Sequence, residues 1–324
     1  MRVHPLDRLL ALALPRGRFF CDGWGDDALM TGMSEDELLA APEPVEVTWR
    51  PAHRDGDLMV QDGLFESPER RLPPAVRQAR VRRLTPATAE TRAMVLLLAS
   101  SGDQGYLART SLARPLAARG IGALVLENAY YGARRPPGQD GYEVRTVCDL
   151  SLMGLATLKE AKALLALARR EGIPRMCVAG YSMGGNLTAV VAATVPFGVA
   201  AVPMAPSASP ASVFTEGALR IWPDLPALAV GGEDVEAARE RLRAWLLRFD
   251  ATRLPPPRAP HAAIVVGTRA DGFVPPYEME RIAARWRCEL RWLDAGHASA
   301  YLFHRDALRR AVVDAIERFE DGEG

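Results

Sequence analysis

From about residue 93 onward, short runs made almost wholly of apolar residues alternate with longer stretches in which apolar positions recur at helical spacing. This is the pattern of a parallel sheet whose strands are buried on both faces and joined through helices. Six runs read as its strands: MVLLLAS (94–100), GALVLEN (122–128), RMCVAG (175–180), GVAAVPM (198–204), HAAIVVG (261–267) and CELRWLD (288–294). Between the second and third, residues 143–172 place Val144, Val147, Cys148, Leu152, Leu155, Leu158, Leu165 and Ala168 roughly on one stripe, which predicts a long crossover helix ending at Gly172. Upstream, VEVTWRPAH (45–53) and DLMVQDGLF (57–65) alternate in the manner of antiparallel strands, and residues 1–42 read as a helical extension. Residues 207–258 are too long for an ordinary crossover and read as an inserted lid, so the expected domain is 43–324 with that lid inside it.

Composition narrows the function. With 324 residues, 48% of them hydrophobic, the chain can bury a sizeable core. Lys plus Arg equals Asp plus Glu at 40 each, so no net field favours nucleic acid or an anionic surface. Cys21, Cys148, Cys177 and Cys288 lie far apart, with no C-x-x-C pair and no clustered histidines, so no metal site and no disulfide framework is expected. The opening MRVHPLDRLLALALP is interrupted by Asp7 and Pro15 and precedes no cleavage site, and no apolar run approaches the roughly 18 residues of a membrane span. A cytoplasmic protein without stable membrane insertion is the expectation.

The chemistry enters at MCVAGYSMGGN, residues 176–186, where Gly180, Tyr181, Ser182, Met183 and Gly184 spell G-x-S-x-G between a strand and a helix-forming segment. In this setting the serine tops a sharp turn, and the flanking glycines leave room for the neighbouring strand and helix. A bare G-x-S-x-G also arises by chance. A serine hydroxyl needs a base, and the base needs an orienting carboxylate. Of five histidines, His297 alone sits in the loop after the last strand, while His4, His53, His261 and His304 read as surface or structural. Asp271 follows the HAAIVVG strand and gives the order Ser182, Asp271, His297 that α/β-hydrolases use. Asp294 and Asp103 are weaker rivals, one being only three residues from His297 and the other preceding Ser182 in the chain. Oxyanion donors are expected at the backbone N–H of Met183 and, from the LASSGDQGY loop, of Ser101, with Gly102 permitting close approach.

Longer strings carry a family resemblance. FFCDGWG, GDQGYLART, LENAYYGARRP, TVCDLSLMG, GYSMGGN, SASPASVFTEGAL and GHASAYLFHRDALRRAVVDAIERF together resemble the alpha/beta-hydrolase-domain-containing protein 18 family over nearly the whole chain. The resemblance implies an α/β-hydrolase fold, a serine nucleophile at Ser182 and hydrolysis of an acyl ester, with lipid-type esters among the suggested substrates. The chain departs from the family in SSGDQ, where Gln104 stands in place of a histidine. Pocket candidates are Gly102, Gln104, Tyr130, Tyr131, Arg134 and Tyr181 near the strand ends and Phe214 in SVFTEG. The blander reading of these residues is turn-shaping and packing. The sequence therefore predicts a cofactor-free serine hydrolase acting on a small-molecule or lipid acyl substrate. A non-catalytic binding protein of the same fold, or a thioesterase, peptidase or haloperoxidase on it, is the alternative.

Overall fold

The computed structural model describes residues 3–13 and 16–321. Ten strands form one mixed sheet: β1 Thr48–Trp49, β2 His53–Asp55, β3 Leu58–Glu66, β4 Gln78–Pro86, β5 Ala93–Leu98, β6 Ile121–Glu127, β7 Met176–Tyr181, β8 Ala200–Met204, β9 Ile264–Thr268 and β10 Glu289–Leu293. Their spatial order is β1-β3-β4-β6-β5-β7-β8-β9-β10, with β2 beside β3. From β6 to β10 the neighbours are parallel, and β4 joins β6 antiparallel. Every residue of β5 to β9 is buried, as continuous apolar runs require. The six expected parallel strands are all present.

Three features differ from the sequence reading. VEVTWRPAH splits into β1 and β2 at Pro51, whose ring nitrogen has no hydrogen to give a ladder. β4, which the periodicity did not predict, pairs with β3 along its full length and sets Arg82 opposite Asp62, with guanidinium–carboxylate bonds of 2.7 and 2.9 Å. The crossover helix begins later than expected, at Val147, because the Thr146 hydroxyl accepts from the Asp149 N–H at 3.0 Å and caps it. It runs 24 residues to Arg170.

Chain direction places the chemistry. The connection after β5 leads to β6 on one side, and the chain then crosses to β7 on the other, so a crevice opens at the carboxyl ends of β5 and β7. Over this edge lie two segments. One holds the short helices Pro210–Thr215, Leu225–Leu228 and Val235–Leu246, between β8 and β9. The other is N-terminal and holds helices Pro5–Ala13, Asp27–Thr31 and Asp36–Leu39. They are knit together: the Phe19 N–H donates to Trp222 O at 3.0 Å, Phe19 O accepts from the Asp224 N–H at 2.8 Å, and the Phe19 and Trp222 rings stack at 4.9 Å. No helix among the described residues is long and apolar enough to cross a membrane.

Candidate active site

Ser182 stands between the end of β7 and the helix Met183–Thr194, with φ 58° and ψ −118°. A non-glycine residue rarely adopts this backbone, and the surroundings hold it there. The Ser182 N–H donates to Met204 O at 2.9 Å, and its own carbonyl accepts from Asn186. The flanking glycines are sterically obligatory. A Cβ on Gly180 would stand 2.4 Å from Gly184 O, and one on Gly184 would stand 2.5 Å from Leu98 O. The turn thus lifts the serine side chain off the sheet edge while its backbone is clamped from both sides.

Asp271 sits in the turn after β9, and its side chain is fully enclosed. Its Oδ1 accepts from the N–H groups of Phe273 (2.9 Å) and Val274 (2.8 Å), and its Oδ2 accepts from the Thr268 hydroxyl at 2.6 Å. The same Oδ2 lies 2.7 Å from His297 Nδ1, at the start of the helix His297–Phe303. A carboxylate there fixes the proton on Nδ1 and leaves Nε2 as the basic nitrogen. Burial pulls the imidazole pKa down, but the charge and hydrogen bond of Asp271, with the charge of Asp7, outweigh it and raise the pKa above 6.5. Tyr181, whose hydroxyl burial keeps protonated, donates to His297 O at 2.5 Å. Among the described residues, no hydrogen bond joins the Ser182 hydroxyl to His297, and both line one cavity. The rival carboxylates are committed elsewhere: Asp294 is exposed and paired with Arg269 at 3.1 Å, and Asp103 is half-buried and paired with Arg109 at 2.7 Å.

That cavity holds about 440 Å³ and is walled largely by apolar side chains. The crossover helix contributes Leu150 to Leu158, the post-β8 segment contributes Phe214, Trp222 and Leu246, and the N-terminal segment contributes Leu10, Phe19 and Leu38. Ser101, Tyr131, Tyr181, Met183 and Phe214 are in its wall, as is Ser100, which the sequence reading passed over. The Met183 N–H opens its helix, where the first amides have no helical acceptor.

Four pocket candidates lie outside that wall, for identifiable reasons. The Arg134 guanidinium is buried on Glu160 (2.6 and 2.8 Å) and on the carbonyls of Val76 and Glu127. Tyr130 is buried with φ 64°, and its carbonyl accepts from the Gln139 side chain. Gln104 Oε1 accepts from the Gly132 N–H at 3.2 Å, so it braces one loop on another. Gly102, at φ 78°, gives its N–H to the Tyr131 hydroxyl at 3.4 Å. Among the described residues, no group of three or more His, Cys, Asp or Glu is arranged to hold a metal ion.

Comparison with solved structures agrees on the α/β-hydrolase fold. An acetyl xylan esterase from Paenibacillus sp. R4 is 16% identical with a TM-score of 0.59, covering 96% of this chain and 99% of its own. Acetyl xylan esterase 1 from Thermoanaerobacterium sp. JW/SL YS485 is 14% identical at the same TM-score and coverage. A thermostable esterase from Pseudomonas putida ECU1011 is 16% identical, covers 98% of each chain and has a TM-score of 0.51. At the level of sequence, the family described as alpha/beta hydrolase domain containing 18 matches residues 17–229 and 229–318.

Proposed function

Because the chain belongs to the alpha/beta hydrolase domain containing 18 family, we propose that it is a serine hydrolase that cleaves carboxylic esters with an extended acyl chain. The observation that carries this reading is the 2.7 Å contact of Asp271 with His297, which shares the wall of one apolar cavity with Ser182. In the proposed reaction the Ser182 oxygen attacks the acyl carbonyl carbon while His297 Nε2 takes its proton. The C–O bond to the leaving alcohol then breaks, and His297 returns that proton to the departing oxygen. Water repeats the sequence on the acyl-serine, with His297 again the base, and frees the acid and the hydroxyl. Asp271 holds the Nδ1 proton and stabilises the imidazolium formed in each half. The Met183 and Ser101 backbone N–H groups are the proposed donors to the oxyanion.

The cavity supports the substrate class. Its wall follows the crossover helix from Leu150 to Leu158, a rise of about 12 Å at 1.5 Å per residue. An apolar surface of that length rewards burial of an acyl chain, at about 0.8 kcal/mol per methylene. Residues 207–258 form the lid in this reading, with Phe214 in its inner wall. A panel of esters of increasing acyl length, a phospholipid among them, tests the proposal. Turnover is expected to favour medium or long chains over acetate and to vanish in Ser182→Ala. Equal turnover of all acyl lengths, or wild-type turnover in Ser182→Ala, contradicts it. Thioester substrates in the same panel separate leaving-group preference from acyl preference.

A further inference from the structure

The N-terminal helix Pro5–Ala13 delivers a carboxylate to an unexpected place. Asp7 is only 1% exposed. Its Oδ2 accepts from the Gly272 N–H at 2.9 Å and the His297 N–H at 2.7 Å, and its Oδ1 accepts from the Ala298 N–H at 3.0 Å. Gly272 immediately follows Asp271, and His297 and Ala298 open the helix His297–Phe303. A single side chain therefore bonds the backbone on both sides of the Asp271–His297 pair. The fit around it is close: a Cβ on Gly296 would stand 2.4 Å from His4 Cβ, and one on Gly272 would stand 2.6 Å from a Val3 methyl. The His4 N–H also donates to Ala270 O at 2.9 Å, which seats the helix on the Asp271 turn by its backbone.

We propose that Asp7 is a positioning residue for the hydrolytic reaction: from the N-terminal helix, its carboxylate locks the loops of Asp271 and His297 in the register that proton transfer requires. The inference rests on the triad reading above. Without Asp7, three partly buried amides, one in the Asp271 turn and two at the start of the His297 helix, lose their acceptor, and the two segments are free to part. Proton transfer between positioned groups is sensitive to shifts of about 1 Å, which cost on the order of 10²-fold. Asp7 also acts by charge. The titratable groups in contact with His297 are Asp271 from the β9 turn, Tyr181 from the end of β7 and Asp7 from the N-terminal helix; His4 packs against the neighbouring Gly296, and Tyr301 lies one turn on along the same helix, against the Tyr181 ring. Of these, Asp271 and Asp7 bear negative charge and favour the imidazolium.

The full-length Asp7→Asn variant tests this with three readouts: steady-state kinetics, the stoichiometry of Ser182 labelling by a fluorophosphonate, and the His297 ring titration followed by NMR. The variant is expected to lose about 10- to 100-fold in kcat with KM changed by no more than about two-fold. Labelling remains stoichiometric, and both the ring titration and the acid limb of kcat/KM move to lower pH. Wild-type kcat with an unmoved ring titration overturns the proposal. So does a loss of activity that only tracks the fraction of labelled molecules, the signature of a merely structural role. If the asparagine variant does not fold, Asp7→Glu serves: the charge stays and the oxygens move by one methylene, so kcat is expected to fall while the acid limb stays in place, and unchanged kcat overturns the claim. Ser182→Ala and His297→Ala run alongside. Wild-type turnover in those two removes the triad reading itself, an outcome distinct from any Asp7 result because the ring titration reads the Asp7–His297 coupling without turnover.

Discussion

At the scale of single residues, the pH behaviour follows from who surrounds the imidazole. Burial alone favours neutral His297, yet Asp271 at 2.7 Å raises its pKa above the ordinary 6.5. In the proposed reaction Nε2 must be neutral to accept the Ser182 proton, so activity is expected to be lost as pH falls through that raised value. The acid limb of kcat/KM is accordingly expected above pH 6.5, and Asp271→Asn is expected to lower it while cutting kcat by about 10⁴-fold. A limb below pH 6 in the wild type contradicts this electrostatic picture. Ser182 and His297 were legible in the sequence because each has a local sign, a glycine-flanked serine after an apolar run and a histidine in a terminal loop. Asp7 was not. An acidic residue in the first turn of a helix is common, and its partners lie 265 to 291 residues away, where no local pattern points.

At the scale of elements, Gly154 controls how much of the cavity the crossover helix leaves open. It lies in the cavity wall, and no atom stands within 4 Å of where its Cβ would be. Gly154→Ala adds a methyl group and removes backbone freedom from the unfolded chain, so it is expected to stabilise the fold by up to about 1 kcal/mol. Gly154→Phe projects a ring into the void and is expected to depress turnover of long-chain esters at least about ten-fold relative to acetate, a difference of about 1.4 kcal/mol. An unchanged acyl profile in Gly154→Phe places the acyl chain elsewhere. The buried strands were readable because both of their faces are apolar. β4 escaped because its arginines run along the sheet surface, Arg82 reaching the Tyr106 ring at 4.6 Å and Arg83 the Trp49 ring at 4.1 Å. Charged heads on apolar stems hide a strand from any reading based on hydrophobic alternation.

At the scale of the whole molecule, the site is assembled from parts that sequence order keeps far apart. The sheet supplies Ser182 and Asp271, the C-terminal region supplies His297, and the N-terminal segment and the post-β8 segment share the cavity roof through Phe19 and Trp222. The sequence reading sets residues 1–42 apart as a helical extension of the hydrolase domain, and no local pattern shows where such short helices make their contacts. Among the described residues, Leu10, Phe19 and Leu38 of this extension wall the cavity, and Asp7 holds the His297 backbone. The central claim is that Ser182 is a nucleophile activated by His297. It is tested most directly by treating the full-length protein with a fluorophosphonate and mapping the adduct by peptide mass spectrometry. The account predicts one stoichiometric adduct on Ser182, formed at least about 10²-fold more slowly in His297→Ala because the general base is gone. An adduct on another residue, or labelling of Ser182 at the same rate in His297→Ala, contradicts it.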